Sequence, residues 1–116
     1  MSSLMRNAYT AVIARGELWE NSVQSEPYEV AWAGEAIFFV HVMEVQGSAS
    51  GAALARVQIS PDGMRWVDEG GEMSIPAQRD ALSFARVSQF GGWLRLSVTV
   101  PPGVGIKVVA TLALKA

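Results

Sequence analysis

Cysteine is missing from this sequence, and its absence removes disulfides, thiolate metal sites and a cysteine nucleophile together. Charge is scarce as well. Asp, Glu, Lys and Arg make up 17% of the chain, against about 25% in an ordinary soluble domain, and so little ionic surface predicts a buried subunit interface. The 9 basic and 11 acidic residues leave a net charge of -2 and form no Lys/Arg stripe able to neutralise a row of phosphates. That argues against a nucleic-acid partner. Long hydrophobic runs are absent too: the longest, "AIFFVHVM" from Ala36 to Met43, falls far short of the ~20 residues a membrane-crossing helix needs. No membrane partner is expected. The N-terminal apolar piece runs straight into Arg15 and Glu17 without a small-residue cleavage pattern, so no secretory signal is read and the chain is expected to start as a cytoplasmic product.

What the sequence does have is alternation. A chain of 116 residues is long enough for one domain that buries roughly two thirds of its unfolded surface. Period 2 dominates nearly everywhere, and no segment carries a convincing amphipathic-helix period. In "GWLRLSVTV", Leu94, Leu96, Val98 and Val100 point one way while Arg95, Ser97 and Thr99 point the other, as on a strand with one wet face. "PPGVG" then interrupts, before Ile106, Val108, Ala110, Leu112 and Leu114 line another strand. A hairpin is predicted there. "ALSFARVSQF" and "ALARVQI" read as further strands, and "YEVAW", "MRWVDE" and "NAYTAVIAR" as weaker ones. Glu35–Val45 is apolar on both parities, with Ile37, Phe39 and Met43 on one and Phe38, Val40 and Val42 on the other. It is expected mid-sheet, covered on both faces. Gly47–Gly51, "GSASG", reads as a flexible surface loop. The fold class is all-β: a single antiparallel β-sandwich or jelly roll of about eight or nine strands.

Few side chains offer chemistry. His41 is the single histidine; set among Phe39, Val40, Val42 and Met43, it reads as structural rather than as a base or ligand. No Gly-x-Ser-x-Gly elbow accompanies the serines. Asp62, Asp68, Glu69 and Glu72 lie close in sequence, but not at the alternating positions of a calcium loop. Asp62 is expected to form a turn and the others a solvated edge. Catalytic, metal and cofactor residues are therefore none. Of the four tryptophans, Trp93 shares the wet face with Arg95, where an aromatic suits an interface better than a core. Trp93 and Arg95 are the interface candidates. Ser60, Pro61, Asp62, Gly63 and Trp66 are read as a structural turn: Pro61 presets φ, Asp62 bonds the backbone beyond it, Gly63 takes positive φ and Trp66 anchors the returning strand.

"VQISPDGMRWVDEG" followed by "FARVSQFGGWLRLSVTV", with "AIFFVHVMEVQG" upstream, resembles a pattern in small β-sandwich structural proteins of tailed bacteriophages and prophages. The resemblance covers residues 35–114. It implies a virion component made in the host cytoplasm, such as a capsid decoration protein or a tail or fibre subunit. Its partners would be copies of itself, in a homo-oligomer such as a trimer, and a capsid or tail protein. Such a protein works without catalysis, by complementarity of strands and faces. Residues 1–34 match no such pattern and read as N-terminal strands or an assembly arm, with the sandwich core at 35–116, in one domain overall. The turn also resembles the Ser-x-Asp-Gly-x-x-Trp hairpin of discoidin-like domains, a likeness that ends at Ser60, Asp62, Gly63 and Trp66. The alternative function is a carbohydrate-binding module for host or glycan recognition; an enzyme ranks third.

Overall fold

The computed structural model describes residues 8–47 and 51–116. These form nine strands: β1 (Ala8–Glu20), β2 (Ser22–Gln24), β3 (Tyr28–Glu29), β4 (Glu35–Gly47), β5 (Ala52–Ser60), β6 (Val67–Pro76), β7 (Leu82–Ser88), β8 (Trp93–Thr99) and β9 (Val104–Lys115). One sheet has the order β1-β9-β4-β7 and the other β2-β8-β5-β6, with β3 also on β8. Every pair is antiparallel. The expected all-β sandwich is therefore what the chain forms, and no helix among the described residues is long and apolar enough to cross a membrane.

The pairings are nested: β5 with β6, β4 with β7, β2 and β3 with β8, and β1 with β9. The chain is thus one long hairpin whose tip is the 61–66 turn, folded over on itself into a jelly roll. Alternation explains why the two layers close. Leu94, Leu96 and Val98 of β8 and Ile106, Val108, Ala110, Leu112 and Leu114 of β9 are all buried, on the parity that the sequence assigned to the interior. In β4, Phe38, Val40 and Val42 face the same core.

Three local expectations are corrected. The strands on either side of Pro101-Pro102 are not a hairpin, because β8 lies in one sheet and β9 in the other. The link carries the chain across the sandwich, beside the parallel crossing at Asn21, which takes a positive φ of 59°. The Val100 N–H donates to the Asn21 carbonyl at 2.7 Å, so the two crossings bend together. Next, only Tyr28–Glu29 of "YEVAW" is strand. The Ala33 N–H closes a turn onto the Val30 carbonyl at 2.9 Å and the Val30 N–H bonds Gly92, which takes the backbone out of the ladder. Finally, β6 begins at Val67, because residues 61–66 are consumed by the turn.

Residues 8–34 belong to both sheets. β1 pairs with β9 along its length with irregularities between Val12 and Ala14 and between Arg15 and Glu17. The first lets the consecutive Ile13 and Ala14 both reach the interior, where Trp19 is also fully buried. Of the expected N-terminal arm, residues 1–7 lie outside the described residues, as do residues 48–50 of the expected "GSASG" loop.

Candidate functional site

Two surfaces merit description, one on the outer face of each sheet. On the five-stranded sheet the structure gathers the interface candidates Trp93 and Arg95 and the Ser60–Trp66 turn. The Ser60 hydroxyl, buried at the end of β5, accepts from the N–H groups of Asp62 (3.2 Å) and Gly63 (2.8 Å) and donates to the Asp62 carboxylate (3.1 Å). Asp62 Oδ1 in turn accepts from the N–H groups of Met64 and Arg65, each at 2.9 Å. This is the side-chain-to-backbone turn chemistry that Asp and Ser favour. Gly63 has φ of 79°, and a Cβ there would sit 3.1 Å from the Trp93 ring. The turn is folded down onto Trp93, which is half-buried beneath it. The other half of the cluster is Arg95: its Nε donates to Gln58 Oε1 at 2.8 Å, and its guanidinium lies 4.3 Å above the Trp66 ring. Gln58 passes the chain on to Asp68 at 3.0 Å. Partial burial pushes the Arg95 pKa down, from a value so high that the guanidinium stays charged. Trp93, Arg95, Trp66 and the turn thus form one cluster whose polar groups satisfy one another.

The N–H donors of Arg65 and Met64, in that order, hold the Asp62 carboxyl below its ordinary value of 3.8. A carboxylate with a lowered folded pKa contributes stability that is complete above the unfolded pKa and is lost as pH falls through the folded one. Asp62→Asn keeps an acceptor but not the charge. The gap in urea midpoint between wild type and Asp62→Asn is therefore expected to stay constant from pH 7 to about 4 and to close below it. A gap that does not narrow as the pH falls below about 4 would refute this assignment of the turn.

Three of the four acidic residues that invited a calcium reading accept hydrogen bonds within the chain. Asp62 and Asp68 accept the bonds just described, and Glu69 accepts from the Gly71 N–H at 2.9 Å. Among the described residues no group of three or more His, Asp or Glu side chains is arranged to hold a metal. His41 stands on the outer face of β4, with Nε2 3.5 Å from Asp80. A cleft of about 440 Å³ is lined by Glu35, Ala36, Ile37, Glu69, Arg86, Val87 and Ser88.

The second surface is the outer face of the four-stranded sheet, which is apolar along its middle. Strand register places its side chains in rows: Val12, Thr111, Phe39 and Phe84 across the middle, Thr10, Ala113, Ile37 and Arg86 on one side, Arg15, Val109, His41 and Leu82 on the other. Leu82 is 66% exposed, Phe84 52% and Val12 43%. Phe84 and Phe39 rings lie 6.4 Å apart and the Arg86 guanidinium covers Phe84 at 5.1 Å. Beyond these rows come charges, Glu35 and Lys115 at one end, Glu44 and Lys107 at the other. An apolar centre inside a charged rim is the layout of a protein–protein interface. Four strands at ~4.8 Å and seven residues at ~3.4 Å give the centre a footprint of roughly 450 Å², the size of the largest surface patch on a typical monomer, which is often functional.

Sequence reasoning expected β4 to be covered twice, yet within one chain its outer side chains Ile37, Phe39 and His41 are only half-buried. That discrepancy is the signal for the surface. The β7 contribution was missed because alternation gives parity without direction: here the larger Leu82 and Phe84 point out while Ala85 and Val87 point in.

No protein-family model matches the sequence, and no curated protein does. Among solved structures, the fold is similar to that of the SPBc2 prophage-derived protein YomS, with a TM-score of 0.61, 10% sequence identity, and coverage of 97% of this chain and 96% of that one. The whole jelly roll is thus shared with a prophage-derived protein.

Proposed function

We propose that the chain is a non-enzymatic structural protein that associates with itself and with the surface of a larger particle, as a phage virion component such as a capsid decoration protein would. The observation that carries this reading is the apolar outer face of the four-stranded sheet. Leaving Val12, Leu82 and Phe84 in water forgoes roughly 25 cal/mol for every Å² that a partner could cover. The scarcity of charge fits the same reading, and the prophage-derived neighbour of matching fold supports the phage setting. The Trp93–Arg95 cluster is a weaker basis for association, because its groups already serve the turn and one another. A sugar-stacking role draws no support from Trp19, which is buried, or from Trp66, which Arg95 covers.

Light scattering on the purified chain, with negative-stain images of the same fraction, tests the proposal. The expected result is a mass that is a multiple of 12.4 kDa at about 100 µM, a concentration at which a micromolar contact is saturated. A monodisperse monomer with no assemblies would overturn self-association.

A further inference from the structure

We infer that the partner on the four-stranded sheet is a second copy of this chain, packed face to face about a two-fold axis that runs along the strands between β4 and β9. The inference rests on the self-association reading and adds the surface and the geometry.

The outer face is asymmetric in side-chain size. The half formed by β4 and β7 carries the bulky side chains Ile37, Phe39, His41, Leu82, Phe84 and Arg86; the half formed by β9 and β1 carries Thr10, Val12, Val109, Thr111 and Ala113, with Arg15 its one long side chain. A two-fold axis along the boundary keeps each row at its own level and reverses its order. Phe39 then meets Thr111 of the second copy, Ile37 meets Ala113, His41 meets Val109 and Phe84 meets Val12. Arg86 likewise meets Thr10; only Leu82, which falls on Arg15 of the second copy, meets another long side chain, so large residues fall mostly on small ones, as two packed layers require.

Charge follows the same rule. Glu35 lies level with Lys115, and Glu44 level with Lys107, one of each pair on either side of the axis. Reversal sets Glu35 over Lys115 of the second copy and Glu44 over Lys107, so both ends of the rim meet opposite charge. A symmetric pair needs a surface complementary to itself, and this one is so in shape and in sign. A uniformly acidic or basic partner would leave half of the rim repelled. The area suffices as well. Strands of 13, 12, 13 and 7 residues at ~3.4 Å per residue and ~4.8 Å per strand give the whole four-stranded face roughly 730 Å², near the ~800 Å² per partner of a standard interface.

A mixing experiment tests the geometry. One variant carries Lys107→Glu and Lys115→Glu, the other Glu35→Lys and Glu44→Lys. All four side chains are exposed in the monomer, so both should keep the wild-type fold, checked by circular dichroism. Each variant alone places like charges across the axis and is expected to dimerise at least ~10-fold more weakly than wild type. An equimolar mixture is expected to regain wild-type affinity as a heterodimer, which contacts inside one chain cannot produce. If wild type associates and both variants do so equally well, this face is overturned while self-association stands. If each variant is weakened and the mixture is not restored, the two-fold pairing is overturned. If wild type is monomeric, self-association falls and this inference with it.

Discussion

Phe38→Ala is expected to lower the unfolding free energy by about 3–5 kcal/mol, read as a shift in the urea midpoint followed by tryptophan fluorescence. Phe38 is fully buried, between Ala85 of β7 on one side and Leu112 of β9 on the other. Its ring comes from the strand that holds the middle of its sheet, so truncation opens a cavity that the flanking strands cannot close without breaking register. A domain of this size holds only about 5–15 kcal/mol in total, so the loss is a large share of it. The neighbouring Phe39→Ala is the control. Phe39 points to the outer face and is half-buried, so in the monomer it should cost far less. A loss below about 1 kcal/mol for Phe38→Ala would contradict the assignment of β4's inner face.

Gly47→Ala should be nearly as damaging, for a different reason. Gly47 ends β4, pairs with Val104 and has φ of 79°, a conformation an alanine adopts only under strain. A Cβ built there would run into the Gly103 carbonyl oxygen. Relief requires backbone to move, and Gly103 follows Pro101 and Pro102, whose φ angles are fixed. Overpacking and left-handed strain together are expected to cost about 2–4 kcal/mol, again as a lowered urea midpoint. A variant as stable as wild type would show that the β4 terminus and the β8–β9 crossing are farther apart than described.

Much of this architecture was legible before any coordinates. Alternation assigned the interior parity of β8 and β9 correctly, because a sheet with one buried face must repeat every two residues. The Ser60–Trp66 turn was legible because its residues act locally: Asp62 and Ser60 bond the backbone beside them, and Gly63 accepts the φ that others resist. What was not legible depends on distant parts of the chain. Pro101-Pro102 announces that a strand stops; nothing local says whether the next strand returns to the same sheet or crosses to the other, since the crossing is held by contacts with distant residues, such as the Val100 N–H bond to the Asn21 carbonyl. The side on which Leu82 and Phe84 emerge is equally invisible locally, because Ala85 and Val87 satisfy the interior with less volume. The interface candidates Trp93 and Arg95 were correctly placed on the face opposite the core. Their shared role in holding Gln58, Trp66 and the turn could be seen only once three strands were side by side.

The nested pairing has a consequence in time. The tip at residues 61–66 joins strands close in sequence, and each pair outward joins residues farther apart, until Ala8 meets Lys115. Closing a longer loop costs more chain entropy, and domains rich in distant pairings fold slowly. The order of events should therefore run from the Ser60–Trp66 tip toward the two ends, like a zip closed from the middle of the chain. On the ribosome that order meets an obstacle, because β9 is the last of these strands to emerge and yet sits between β1 and β4. Until it arrives, β1 has no strand to pair with in its sheet. The four-stranded face completes in a single late step, so a half-made chain has no finished docking surface to offer.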